Sequence, residues 1–398
     1  MGYELGGGHG HLHRMLPLAH ALQAQGHRVT LFVRNILENA ALLAGERLAI
    51  LPVPDLATHL PGQDVNASMA TYLDIMGVGG FINPQALRTG IMVWNTLLEQ
   101  ARPDLVVADH SPVLMLACFG RYPVVQFADG FTLPPAHRMT FPKFRRGAKP
   151  LVDPARVLRV MQDVQRQLRL PQPQSVTEPF RTAGRLVCTL PELDPYACHR
   201  RDPVIGPVAE LPAPLETPKG PPRFFAYLDL AHPSAWSLAK ALHHGRMDGE
   251  LYARGMTDQA ARTLERPGLT VHRALQPLDE VFARTHVILH HGSNGTCCAA
   301  MAAGRPQVVA PLQMEARLTA DAVVARGCGW LLGGGDHDAQ SLASVLESTA
   351  TNPVTVDRSR RAAETVWNRG KPLPTENAVS TCLDILGGPG QARAAANC

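Results

Sequence analysis

The chain has 398 residues, of which 45% are hydrophobic and 18% charged, with a formal net charge of +4. That length exceeds what one core usually supports, so two domains are expected, and the slight charge with no basic run interleaved with aromatics argues against a nucleic-acid partner. The apolar stretch Leu105–Phe119 is broken by Asp109, His110 and Pro112, no run of about 18 apolar residues occurs elsewhere, and membrane association is not expected.

The first residues, MGYELGGGHGHLHR, carry neither a basic n-region nor an apolar h-region and do not read as a signal peptide. Eight cysteines are scattered, with Cys297 and Cys298 adjacent and no CxxC pair. Free thiols in a reducing cytoplasm is the economical reading, so a cytoplasmic location is expected and zinc is not.

In chain order, Gly2–Leu5 reads as a short strand, followed by the loop Gly6-Gly7-Gly8-His9-Gly10-His11. Met15, Leu16, Leu18, Ala19 and Leu22 recur at helical spacing, Gln25-Gly26 stops the helix, and Arg28–Val33 is an apolar strand. This is a βαβ opening with parallel strands. Leu87–Gln100 reads as helix, Pro103–Asp109 and Pro123–Phe127 as strands, and Val152–Leu170 as helix. Between Phe131 and Lys149 the composition turns to Pro, Arg and Lys without a period, which predicts a mobile loop. Its basic part, Lys143–Lys149, reads as a solvated loop, with contact to an anionic lipid surface as the alternative.

The proline-rich stretch Pro203–Pro222 reads as a linker. Beyond it, Arg223–Leu230, Glu250–Arg254 and Thr270–Arg273 are strand-like, Ala235–His243 is helical, and Asn377–Leu386 is a last amphipathic helix. Alternating strands and helices in both halves predict an α/β protein of two doubly wound parallel sheets with the ligand cleft between them. The expected division is 1–202, a linker at 203–222, 223–370, and a C-terminal helix and tail at 371–398 packing back on the first domain.

The most informative block is His290–Trp330. A strand ends in the turn His291-Gly292-Ser293-Asn294-Gly295-Thr296, and the small-residue stretch Thr296–Ala303 follows as helix. Free amides at a helix start, together with the positive end of its dipole, favour an anion such as phosphate. Glu315 follows Pro311 at the tip of the next strand, where a carboxylate could receive sugar hydroxyls. Phosphate cradle plus hydroxyl acceptor suggests a nucleotide-sugar site.

These residues resemble the donor signature of the UDP-glycosyltransferase superfamily, H-G-G-x-G-T, then G-x-P-x-V-x-x-P, then D-Q-x-x-N-A. Here Gly304-Arg305-Pro306 and Pro311 hold the strand positions, while Ser293, Glu315, Ala316 and Thr319 depart from the pattern. The opening Gly10-His11-Leu12-His13-Arg14-Met15-Leu16-Pro17-Leu18-Ala19, with Gly26-His27-Arg28-Val29-Thr30, resembles the same family's N-terminal pattern, with Arg14 where Pro is usual. The resemblance implies the GT-B fold, two facing Rossmann-like domains, of the bacterial natural-product type.

It further implies that His11 is the general base and Asp109 its orienting acid. Donor contacts would come from Gly10, Leu275, Gln276, His291, Gly292, Ser293, Asn294, Gly295, Thr296 and Glu315. An imidazole suits the first role because an acceptor hydroxyl must lose its proton as it attacks the anomeric carbon. The expected reaction is metal-independent and inverting, moving a sugar from a UDP- or dTDP-sugar co-substrate to a small-molecule acceptor, with no cofactor. The acceptor site is expected within Leu56–Gly90 and Phe131–Lys149. His9, His11 and His13 alternate and could be read as a metal site, His11 as a structural loop histidine, and Asp109 as a helix cap. Alternative functions are a non-catalytic nucleotide-sugar-binding or helper protein, a cell-wall-type transferase, or a nucleotide-sugar epimerase. A monomer or homodimer is expected.

Overall fold

The structure, a computed structural model, describes residues 1–7, 9–53, 69–333 and 337–387. Within the expected acceptor segment Leu56–Gly90, positions up to 68 therefore lie outside the described residues, as does the tail from 388. The chain divides into two compact units: 1–188 with 196–209 and 373–398, and 189–195 with 210–372.

The first unit holds a six-stranded sheet of β1 (Gly2–Tyr3), β2 (Thr30–Val33), β3 (Ala49–Pro52), β4 (Val106–Asp109), β5 (Val124–Ala128) and β6 (Gly184–Val187). Its order is β3-β2-β1-β4-β5-β6, and every ladder is parallel. β4 and β5 are buried along their whole length, as strands covered by helices on both faces must be. Helix α1 (Gly10–Ala24) buries Met15, Leu18, Ala19 and Leu22 of the stripe expected from the sequence, with Leu16 half-buried and Leu12 buried in addition. The C-terminal helix Pro374–Gly387 packs on this unit, with Ala378 and Cys382 inside the same core as Leu12, Leu18 and Val125.

Two stretches differ from their reading in the sequence. Residues 131–149 are irregular but pinned: Phe131, Leu133, Ala136, Phe141 and Phe144 are buried, and Arg181 Nε donates to the Ala136 carbonyl at 2.8 Å. Spaced aromatics, not periodicity, hold this segment. The helix Tyr72–Met76, running into a π-helical turn Gly77–Phe81, lacks a sequence signature and is organised by buried Asp74. That carboxylate accepts from the amides of Ala70, Thr71, Leu151 and Val152 at 2.7–3.1 Å, tying the helix to a distant turn.

The second unit repeats the plan with β7 (Arg223–Asp229), β8 (Asp248–Arg254), β9 (Leu269–His272), β10 (Val287–His290), β11 (Gln307–Val309) and β12 (Gly329–Leu331). The order is β12-β11-β10-β7-β8-β9, again all parallel. Its core joins Phe224, Leu228, Leu238, Leu242, Leu251, Leu289 and Leu346. The proline-rich stretch is not a free linker. Val204 bridges β6 in the first unit, and Arg305 donates to the carbonyls of Leu215 (3.2 Å) and Glu216 (2.6 Å) in the second.

Candidate functional site

In each sheet the strand order reverses at one place, between β1 and β4 and between β7 and β10. Ligands of doubly wound sheets bind outside the C-terminal ends of the strands at such a switch point. Of the residues singled out in the sequence, His11 and Asp109 lie at the first of these places and the turn from His291 at the second, while Glu315 follows β11 and Leu275 and Gln276 follow the edge strand β9.

In the first unit, Asp109 ends β4 in register with Tyr3, and His11 sits in the first turn of α1. The two rings of Tyr3 and His11 stack at 4.7 Å with 13° between planes. His11 Nδ1 lies 2.8 Å from Asp109 Oδ2. A carboxylate only accepts, so Nδ1 carries the proton and Nε2 is left as the basic nitrogen. Asp109 does not cap the following helix Pro112–Cys118, whose N-cap is Ser111.

Arg14, one turn after His11, reaches the same carboxylate oxygen with Nε at 3.0 Å and Nη2 at 2.8 Å. Its Nη2 is also 3.3 Å from Asp129 Oδ2. Asp129 Oδ1 accepts from the amides of Phe131 and Thr132 and from the Thr132 hydroxyl. Burial by itself would push the Asp109 carboxyl up, but the Arg14 guanidinium and the His11 imidazole reverse this and hold it well below the usual carboxylate range.

The alternating histidines part company. His9 Nδ1 meets Asn39 Oδ1 at 3.0 Å, while His11 turns to Asp109. Among the described residues no group of three or more His, Cys, Asp or Glu side chains is placed to hold a metal ion. Gly10 is the exposed first residue of α1.

Sequence reasoning missed His110. It adopts the left-handed region at φ 43°, and its ring lies 6.2 Å from that of His11 and 5.8 Å from that of Tyr72. Burial, then the neighbouring His11, push its pKa down to about 3, so it is neutral near pH 7. Neither of its ring nitrogens, nor the Tyr72 hydroxyl, has a hydrogen-bond partner among the described residues. Buried polar groups left open in this way cost about 1–3 kcal/mol each and mark positions where a ligand's polar atoms can bind. The sequence offered only a histidine directly after a strand-end acid.

In the second unit, buried His290 at the end of β10 shapes the turn. Its Nε2 donates to Gln307 Oε1 at 3.0 Å and its Nδ1 accepts from the Gly292 amide at 3.0 Å. Both bonds require a neutral ring, and burial pushes its pKa down to about 4. His291 Nδ1 pairs with the Ala310 carbonyl at 2.9 Å, which leaves Nε2 buried and without a partner among the described residues. Gly292 has φ 85°, and a Cβ there would lie 2.9 Å from the Ala316 carbonyl oxygen and 3.2 Å from its Cβ. The absence of a side chain at Gly292 thus lets the turn lie tight against the helix Met314–Ala325, whose first turn carries Glu315.

Ser293 has ordinary angles, φ −60° and ψ 140°, and stands as N-cap of the helix Asn294–Ala302. Its hydroxyl donates to the Thr296 hydroxyl at 2.9 Å instead of capping the helix. Asn294 Oδ1 accepts from the Thr189 hydroxyl at 2.6 Å, so this side chain helps anchor residues 189–195. Gly295 lies on the first turn of the helix with nothing near the place of a Cβ. Across the switch point, Asp229 at the end of β7 is paired with Arg254. Beyond β9, Leu275 is 57% exposed, and Gln276 folds onto the Ala274 carbonyl at 3.0 Å.

Comparison with solved structures defines the class. The chain superposes on the calicheamicin glycosyltransferase CalG4 with a TM-score of 0.71 and 21% identity, covering 96% of this chain and 97% of that one. The glycosyltransferase VinC in complex with DTDP gives a TM-score of 0.64 at 18% identity, with 97% and 99% covered. The fold is GT-B.

Residues 239–385 match the family model described as "Erythromycin biosynthesis protein CIII-like, C-terminal domain". The protein is thus a GT-B-fold chain whose residues 239–385 are similar to that C-terminal domain. It is 34% identical over 102 residues to the elloramycin glycosyltransferase ElmGT of Streptomyces olivaceus, a match spanning 26% of this chain and a quarter of that relative's length. Among the described residues no helix is long and apolar enough to cross a membrane.

Proposed function

We propose that the protein is a glycosyltransferase that moves a sugar from a UDP- or dTDP-sugar to a hydroxyl of a small-molecule acceptor, without a metal and with inversion at the anomeric carbon. The observation that carries this reading is the 2.8 Å contact of His11 Nδ1 with Asp109 Oδ2 at the switch point of the first sheet. His11 Nε2 takes the acceptor proton as the oxygen attacks the anomeric carbon. Asp109 holds the tautomer and stabilises the imidazolium that forms, as carboxylates do in hydrolase triads.

In the second unit the turn His291–Thr296 receives the diphosphate. The amides at the start of the helix Asn294–Ala302 stabilise the negative charge that develops on the leaving group. With Nδ1 of His291 committed to the Ala310 carbonyl, its Nε2 donates to phosphate only when protonated. Glu315 accepts sugar hydroxyls, and Leu275 with the Gln276 backbone packs the base. The complex of VinC with DTDP supports a pyrimidine diphosphate as the donor class.

Ala316, where the resembling family carries an amide, favours a second reading as a non-catalytic nucleotide-sugar-binding or helper protein. The His11–Asp109 pair opposes it.

The deciding experiment is calorimetric titration with UDP, dTDP, GDP and their common sugars, followed by transfer assays of the parent and His11→Ala. A pyrimidine diphosphate should bind selectively, and His11→Ala should abolish transfer while leaving donor affinity nearly unchanged. Loss of donor binding in that variant would refute the base assignment, and binding without transfer to any acceptor would support the helper reading.

A further inference from the structure

We propose that Arg14 is a positioning residue that sets the proton affinity of His11 by sharing its carboxylate partner. The inference deepens the reading of His11 as base, but concerns the histidine's titration and not turnover alone.

His11 and Arg14 stand three residues apart on α1, so both side chains leave one face of the helix. Both end on the same oxygen, Asp109 Oδ2, at 2.8 Å from His11 Nδ1 and 2.8 Å from Arg14 Nη2. Arg14 alone also reaches Asp129 Oδ2. All four side chains are buried. With a neutral imidazole, two carboxylates and one guanidinium leave one net negative charge in the group; protonation of His11 brings it to zero. Arg14 withdraws part of the Asp109 charge that would otherwise stabilise the imidazolium. It also keeps Asp109 and Asp129 from facing each other as bare like charges.

The other groups around the imidazole leave this role to Arg14. Tyr3 on β1 stacks on the ring and Asn39 bonds its hydroxyl, while burial pushes its pKa up to about 12, so it stays neutral. His110 after β4 is neutral as well. On α1 itself, His9 is held by Asn39 and His13 is exposed. Arg34 and Glu38, past β2, act on Tyr3 with opposite signs. The sequence resemblance placed Pro at position 14, so this arginine belongs to the chain's own arrangement.

The test is an NMR titration of the His11 ring, with kcat/KM against pH measured alongside. In Arg14→Met the His11 midpoint should move upward by about one pH unit or more. Asp129→Asn, which keeps both amide contacts through its remaining oxygen, should move it downward. The double variant Arg14→Met/Asp129→Asn restores one net negative charge and should return the midpoint toward the parent value. Arg14→Lys should stay nearer the parent than Arg14→Met. Should Arg14→Met fail to fold, the Asp129→Asn and double variants still carry the signs.

A His11 midpoint unmoved in the folded variants would overturn the proposal whatever the activity does. A midpoint that moves as stated, with a pH–rate profile that does not follow it, would uphold the role of Arg14 and refute His11 as the base.

Discussion

The Nε2 atom of His11 occupies the space a side chain on Gly6 would need: a Cβ at position 6 would lie 2.2 Å from it. Gly6 also has φ 94°, a conformation that L side chains rarely adopt. The glycine-rich opening loop therefore runs directly past the nitrogen proposed to take the acceptor proton. Gly6→Ala should displace the imidazole or the loop by an ångström or more. A misplacement of that size costs on the order of 100-fold in rate. Transfer assays beside a donor titration check this; the donor affinity should hold, because Gly6 and the phosphate turn lie in different units.

Asp109 is fully buried and bonded by the His11 imidazole and the Arg14 guanidinium. Asp109→Asn removes the charge while leaving Arg14 buried beside Asp129. Breaking one side of a buried ion pair costs about 3–5 kcal/mol, reduced here because Asp129 remains. The melting temperature should fall measurably and transfer should drop further, since an amide can present either face to His11 and no longer fixes the tautomer. A variant with parent-like turnover would show that the tautomer is set by something else, such as the Tyr3 stack.

The parts of this fold that follow a simple period were legible in the sequence. The apolar runs of β4 and β5 read correctly because local spacing determines them, as did the stripe on α1 apart from half-buried Leu16, while the helix read from Thr296 begins two residues earlier at Asn294. His11 and Asp109 could be named individually, but their contact spans 98 residues and depends on β1 and β4 being neighbours, which spacing does not encode. Arg14 looked like a departure from a motif and is a member of the network. His110 and His290 were invisible for another reason: one is distinguished by a left-handed backbone and the other by two hydrogen bonds inside the core. The aromatic packing at Phe131, Phe141 and Phe144 has no period and read as a loop.

At the turn proposed to hold the diphosphate, Gly292→Ala would drive a methyl into the Ala316 carbonyl and force a positive φ on alanine. The strain is of order 1–3 kcal/mol, and relief requires the turn to move away from the helix bearing Glu315. Nucleotide affinity should fall about tenfold or more in calorimetry while the His11 titration stays at its parent position. Equal affinity would remove the turn from the donor site.

His291 gives the same site a pH dependence. Burial lowers its pKa below the ordinary histidine value, so the free ring is mostly neutral at pH 7. A bound diphosphate favours the protonated ring, whose Nε2–H can then donate. Affinity for the diphosphate should therefore rise as pH falls from 7 toward 6, and His291→Ala should both weaken binding and flatten that dependence. Turnover should survive a chelator, since the proposed mechanism stabilises the leaving group by amides and this histidine; rescue of a chelated sample by a divalent ion alone would overturn the metal-free mechanism.

Glu4 supplies a stability prediction separate from the chemistry. Its carboxylate is buried and accepts from the amides of Val113 at 2.9 Å and Leu114 at 2.6 Å. Burial outweighs those bonds and raises its pKa from 4.5 to about 7. A carboxyl whose folded pKa lies above its unfolded value binds more protons in the folded state, so its contribution to stability falls as pH rises through that interval. The loss is incurred between about pH 4.5 and 7 and is constant above, and a shift of this size corresponds to roughly 3 kcal/mol. Glu4→Gln has no proton to lose, and its one oxygen can accept from only one of the two amides, a cost that does not vary with pH. Its stability, followed by denaturant unfolding between pH 5 and 8, should decline less than the parent's, with the difference between the two changing up to pH 7 and then holding. Parallel curves for the two proteins would mean that Glu4 titrates alike in the folded and unfolded chains.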